Sequence, residues 1–589
     1  MRRHAHADPG GKRKRASLLM AALTMSPLIL SLSLPPAGAL RLSPSYTSVV
    51  VEFQILEDRT VRVGENCVLN LPSFYSSITI KRTLPSENVQ ELEAWCEPGE
   101  LRLENRTVEE GTEVTLTISF SSPFRGELRY GLSYRAAGWV GGAGPKYEAV
   151  LGGVRIGAGG YPYESYRITI RGPPGSKLFW HEPRDAVPSA DGLSVTYSTS
   201  VGAPGSFGGM LATFYTTPVY YKLTLTESLG NSGGSSCDLV MNLLLFSEGK
   251  AHFASLVTSD PSPGSLYADE ENNFYASFRL KLAPGENKRV KVELVWKVEL
   301  YDPGISSENS GTLDDLPQGM EEYTVERKWW EVEELRPLSL QLTGGERNLY
   351  LLCRELLRWM DGAIAYVPTQ ERQGALETYR RGAGDCDCLS DLLIALLRSL
   401  GVPSRLSFGW TAEENGAGNH AWVEVHLPGW GWQPVDPTWS KGSEKYLFRM
   451  DPLHLCRGSR GLTSSDSYLS RAYYGGYPEV GLEEVSLVLL SEEEALQEFL
   501  LSARTLLCLA EEGGEDPRLE VARESLRRAE NGGGMEEALR SLSLSLSVLR
   551  ERGKPLELPR RVPTWALALL AGSAAALALA LGLGLRRRA

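Results

Sequence analysis

From about Ser45 to Val298 the apolar positions recur at a period of two. Ser48-Val49-Val50-Val51-Glu52-Phe53, Glu113-Val114-Thr115-Leu116-Thr117-Ile118 and Tyr220-Tyr221-Lys222-Leu223-Thr224-Leu225 are alternating or β-branched runs. Gly, Pro, Asn and Ser clusters separate them, as turns separate strands. This half of the chain predicts two β-sandwich-like modules, at residues 40–217 and 218–302. Near Glu346 the period changes. Leu349, Leu352, Cys353, Leu356, Leu357 and Met360 fall on one helical face, and a mixed α/β stretch follows within 320–480. From Ser491 the pattern turns helical again, within a membrane-proximal helical unit expected at 485–552. Ser491 and Glu494 form a capping box, Asp516-Pro517 opens a second helix, and Gly532-Gly533-Gly534 precedes a third.

The two ends break this picture with unrelieved apolar runs. Lys12-Arg13-Lys14-Arg15 leads into an apolar stretch from Ala16 to Leu34, and Ala37-Gly38-Ala39 follows. That order predicts a secretory signal over 1–39, with an uncleaved anchor as the alternative. Pro563 to Leu585 carries no charged residue and is followed by Arg586-Arg587-Arg588. It is long enough to cross a hydrocarbon core of about 30 Å, with its arginines on the cytoplasmic side. The expectation is a single-pass protein of the cell membrane, anchored through 563–585, with its main body outside the cytoplasm. The formal charge of −12 excludes a general nucleic-acid binder, because phosphate recognition needs concentrated Lys and Arg. The eight cysteines are too scattered for a disulfide framework. Cys67 with Cys96 is the pair expected first, if any pair forms.

The candidate chemistry lies between residues 384 and 438. Gly384-Asp385-Cys386-Asp387-Cys388 precedes Leu389, Leu392, Leu393, Leu396, Leu397 and Leu400, one apolar helical face closed by Gly401-Val402-Pro403. Cys386 therefore stands at a helix start, where unpaired N–H groups favour thiolate over thiol. His420-Ala421-Trp422-Val423-Glu424-Val425-His426-Leu427 alternates, and Trp432 to Thr438 returns after a turn at Pro428-Gly429. In an antiparallel hairpin centred there, Asp436 falls opposite His420 or one diagonal away, and on the same face in either register. An Asp beside a His fixes the tautomer and stabilises the charged imidazole, leaving the other nitrogen for a thiol. Glu424 and Trp422 share the face of His420 and flank the cleft or support the histidine. His426 and His454 read as structural or exposed.

At these residues the chain resembles the transglutaminase-like superfamily, whose fold is an α+β, papain-like core. The Gly-x-Cys that opens the helix, the Leu400-Gly401-Val402-Pro403-Ser404-Arg405 that follows it, His420-Ala421-Trp422-Val423-Glu424-Val425 and Gly431-Trp432-Gln433-Pro434-Val435-Asp436-Pro437-Thr438 match its motifs in order. The resemblance spans about 320–480 and implies a nucleophile at Cys386, a base at His420 and an orienting carboxylate at Asp436. It implies no cofactor. No acidic loop has calcium-ligand spacing, which argues against a calcium-dependent cross-linker.

Cys388 departs from the family pattern, where a polar residue is usual. A zinc site using Cys386 and Cys388 is one alternative. A buried small residue, or a partner for Cys353 or Cys456, is the other. Two functions fit the sequence. One is a thiol enzyme that hydrolyses or transfers protein or peptide amides through a Cys acyl-thioester, with hydrolysis expected over cross-linking. The other is a non-catalytic surface scaffold on the same fold.

Overall fold

The computed structural model describes residues 43–558, apart from 85, 87, 110, 152–162, 203–208, 415, 466 and 482. The expected signal at 1–39 and the apolar run at 563–585 lie outside the described residues. Among the described residues, no helix is long and apolar enough to cross a membrane.

The alternating runs become strands where parity placed them: Ser45–Ile55, Gly111–Ala136 and Val219–Asn231. The first two enter an eight-stranded sheet that shares one apolar core with a four-stranded sheet running from Val140 to Thr216. Cys67 and Cys96 stand on either side of the strand Gly111–Ala136, each opposite Tyr130. Two strand spacings, about 9.6 Å in all, exceed disulfide reach. The expected pairing of these cysteines is thus corrected: an intervening strand separates them, and both are free thiols.

Val219–Asn231 pairs with Asn287–Val298 to begin a second sandwich. This sandwich also takes strands from far down the chain. Leu469–Tyr474 pairs with Cys237–Ser247, and Glu484–Leu490 lies along Val219–Asn231. The unit expected at 320–480 therefore ends its own sheet at Arg460, and the chain then returns to the second sandwich. The helices Glu492–Glu512, Pro517–Arg528 and Gly534–Arg552 pack onto that sandwich through Ala495, Phe499, Ala503 and Leu506. The predicted capping box is present: Glu494 N–H donates to Ser491 Oγ at 3.3 Å, and Ser491 N–H donates to Glu494 Oε2 at 2.8 Å.

The α+β core lies between these units. Its antiparallel sheet has the order Gly431–Val435, Gly416–Leu427, Ser404–Glu413, His454–Arg460. The helix Cys386–Ser399 packs against the sheet with Leu389, Leu392, Leu393, Leu396 and Leu397 fully buried. Its length and apolar stripe explain the position of the thiol, because a buried helix can present only its first turn to a cleft.

Candidate active site

Cys386 is the first residue of its helix, and Asp385 precedes it in extended conformation. The Asp385 carboxylate accepts from the Thr369 N–H at 2.9 Å and the Thr369 hydroxyl at 2.5 Å. Asp391, one turn further on, accepts from Trp330 Nε1 at 2.8 Å and from Arg372 Nε at 2.8 Å. Together these contacts tie the segment from Thr369 to Arg372 to the cysteine helix. Cys386 itself is half-buried, whereas Cys388 is fully buried and its thiol is pushed up to about 11, chiefly by that burial.

His420 lies on the strand Gly416–Leu427, which pairs with Gly431–Val435 as Val423↔Val435 and Leu427↔Gly431. Asp436 follows the last ladder pair, level with Trp422 and a diagonal step from His420, as the hairpin parity allows. His420 Nε2 donates to Asp436 Oδ2 at 2.8 Å. The other ring nitrogen is left for the thiol, and the Cys386 side chain is one of the groups that act on His420. Burial alone would push His420 down. The charge and hydrogen bond of Asp436 overcome this, and with the contact to Cys386 they raise it to about 9.

Asp436 is fully buried, yet it stays well below the usual carboxylate range. Burial opposes ionisation, but His420 and His454 both donate to Oδ2, while the N–H groups of Thr438 and Trp439 donate to Oδ1 at 2.7 and 3.0 Å. Pro437 and the small turn it begins make these last two bonds possible.

His454, expected to be structural or exposed, is buried beside this carboxylate. Its Nε2 lies 3.2 Å from Asp436 Oδ2, and its Nδ1 lies 2.8 Å from Asp451 Oδ1. Asp451 also accepts from Leu453 N–H at 3.0 Å, Tyr446 hydroxyl at 2.6 Å and Tyr215 hydroxyl at 2.8 Å, the last from the N-terminal unit. The i,i+3 spacing of Asp451 and His454 was the available signal. It gave no direction, because the strand His454–Arg460 reaches the site across Ser404–Glu413. A bulge at Gly409 admits it: a Cβ there would come 2.0 Å from the Leu455 carbonyl oxygen.

Trp422 packs its ring 5.9 Å from that of His420 and 5.3 Å from that of His454. Glu424 is turned elsewhere. It accepts from Arg405 Nε at 2.8 Å, Ser407 at 3.0 Å and Ser459 at 3.1 Å, and so knits three strands of the sheet.

Among the described residues, two groups of ligand-type atoms converge within 4.8 Å, His420–Asp436–His454 and Asp385–Asp387–Cys388. Neither joins Cys386 to Cys388 and His420, as the zinc alternative required. In the first group, the ring nitrogens that converge already face a carboxylate. In the second, Asp387 is pushed up to about 7 by burial and by its neighbour Asp385, and Cys388 stays a thiol at neutral pH.

The family model described as the transglutaminase-like superfamily matches residues 336–437. The uncharacterized protein YebA of Bacillus subtilis (strain 168) is 28% identical over 145 residues, covering 20% of this chain and 20% of that protein. The chain thus matches only about a fifth of that relative's length. A proposed cysteine protease from Cytophaga hutchinsonii has 16% identity and a TM-score of 0.36, covering 47% of this chain and 92% of that one. The periplasmic domain of TgpA from Pseudomonas aeruginosa has 15% identity and a TM-score of 0.23, covering 36% of this chain and 88% of that one. At these TM-scores the likeness aligns no individual site. The segment 336–437, which carries Cys386, His420 and Asp436, belongs to the transglutaminase-like superfamily.

Proposed function

We propose that this chain is an extracytoplasmic, membrane-anchored thiol enzyme that cleaves protein or peptide amides through an acyl-thioester on Cys386. The observation that carries this reading is the buried 2.8 Å bond from His420 Nε2 to Asp436, which leaves the remaining ring nitrogen for the Cys386 thiol. At neutral pH His420, raised to about 9, already holds the one proton of the Cys386–His420 pair, and Sγ bonds to the amide carbon. The C–N bond then breaks, and the same proton leaves with the amine. Water attacks the thioester, gives its proton back to His420, and releases the acid and the thiolate. Asp436 keeps the imidazole in the required tautomer and stabilises its charged form. The apolar run at 563–585 supplies the anchor, and residues 40–560 face outward.

Hydrolysis exceeds transfer in this reading, because water wins by default unless it is excluded. Trp422 and Trp439 pack against the histidines and are accounted for as their support, so they define no acceptor tunnel. The test offers a peptide library and a labelled primary amine to the purified protein, with products counted by mass spectrometry. Hydrolysed or deamidated peptide should dominate. A dominant amine adduct would make the enzyme a cross-linker. No product of either kind, with Cys386 unreactive, would favour the scaffold.

A further inference from the structure

His454 has no part in the reaction just described, yet it is bonded to the carboxylate on which that reaction depends. Each of its nitrogens faces a carboxylate oxygen, Nε2 at 3.2 Å from Asp436 and Nδ1 at 2.8 Å from Asp451. A carboxylate oxygen only accepts, so both nitrogens carry hydrogen and the ring is an imidazolium. Asp436 and Asp451 each receive four donors, which leaves neither carboxylate short of partners in a buried site. The ring centroids of His420 and His454 are 5.4 Å apart, close enough for their charges to interact strongly in a buried site.

We propose that His454 is a positioning residue of the thiol site: a fixed imidazolium that clamps Asp436 against Asp451 and, through its charge, limits how tightly Asp436 holds the proton on His420. This rests on the thiol chemistry proposed above.

The clamp has two physical effects. The first is orientation: with Thr438 and Trp439 holding Oδ1, the His454 bond fixes the remaining freedom of Oδ2. The second is tuning. An Asp436 paired with His420 alone would hold the imidazolium more firmly, whereas a second cation on the same oxygen weakens that grip. The groups that face the clamp are few. Tyr446 and Tyr215 donate to Asp451, and Tyr221 sits behind it on the second sandwich, donating to the Pro452 carbonyl at 3.2 Å. Lys445 lies within the field of both aspartates and of Lys146 and Glu148. Cys386, His420 and Tyr366 lie on the cleft side. Tyr215 belongs to the strand Leu211–Thr216, so the N-terminal unit contributes a donor to the chain of groups that ends at the thiol.

The test compares the pH dependence of peptide turnover for the wild-type full chain and His454→Gln. Loss of the charge should raise the alkaline limb of kcat by about one pH unit. Loss of the bond should lower kcat about tenfold at neutral pH with KM unchanged. A wild-type alkaline limb in an active His454→Gln protein overturns the proposal, because a merely structural role lowers the amount of folded enzyme without moving the limb.

If the variant does not fold, the wild type decides. Selective ¹⁵N-histidine labelling should show three far-downfield imidazole N–H protons bonded to carboxylates, two of them from His454. Two in all would mean a neutral His454 and would overturn the clamp. The two readings fail separately. A wild type without turnover or selective Cys386 alkylation sinks the thiol chemistry, while the proton count still tests the bridge.

Discussion

The N-terminal sheet and the thiol core both bury ionisable side chains, and the carboxylates of Glu65 and Asp436 respond in opposite ways. In the sheet, Glu65 and Arg82 face each other at 2.6 Å with almost no exposure, ringed by Tyr130, Tyr134 and Cys67. Burial wins there: the Glu65 carboxyl is pushed up despite Arg82, and the Cys67 thiol is driven to about 12. In the core, Asp436 is just as buried and is held down, because two imidazoles and two backbone N–H groups meet it. Buried charge alone therefore does not mark an active site. What separates the two is saturation of the carboxylate by donors, and a half-exposed thiol at the end of the chain of bonds.

The largest effect should come from Asp436→Asn. It keeps the shape but permits the wrong imidazole tautomer, so kcat should fall by about 10⁴-fold while circular dichroism stays native. Retained turnover would mean that another group orients His420. At the other cluster, Glu65→Leu should cost about 3–5 kcal/mol in denaturant unfolding by leaving Arg82 buried and unpaired. It should leave the kcat of the folded fraction unchanged, and a matching loss of kcat would erase the contrast between the two regions.

The pH dependence of stability separates them further. His420 and His454 are each raised to about 9. Their contribution is fully present below the ordinary histidine value of about 6.5 and is lost as pH rises toward 9, up to about 3 kcal/mol for each. Denaturant midpoints followed across that window should fall in the wild type and fall less in His454→Gln.

The smallest effect should be that of Glu424→Gln. Its carboxylate holds Arg405, Ser407 and Ser459 rather than His420. Turnover should stay within a few-fold of wild type, and the thermal midpoint should drop by a few degrees. A loss of turnover as deep as that of Asp436→Asn would place Glu424 in the reaction.

The sequence made the hairpin and the cysteine helix legible because both rest on local periodicity. Parity put His420 and Asp436 on one face, and the stripe from Leu389 to Leu400 put Cys386 at a helix start. The capping box at Ser491 was readable for the same reason. What could not be read depends on strand order. His454 and Asp451 join the site only because His454–Arg460 pairs with Ser404–Glu413 on the side away from His420. The return of residues 469–490 to the second sandwich is likewise non-local. The Cys67–Cys96 expectation failed because sequence spacing does not reveal the strand that separates them. Glu424 shares the parity of His420, and parity alone cannot tell which partner a side chain will take.

The most direct measurement is the rate at which iodoacetamide modifies each of the eight cysteines at neutral pH, mapped by peptide mass spectrometry in the wild type and in His420→Ala. The account predicts that Cys386 reacts first, ahead of the exposed Cys508 and well ahead of Cys353, which burial pushes up to about 12. It also predicts that His420→Ala removes this lead. Cys386 reacting no faster than Cys508, or just as fast without His420, would contradict the assignment of a thiol active site.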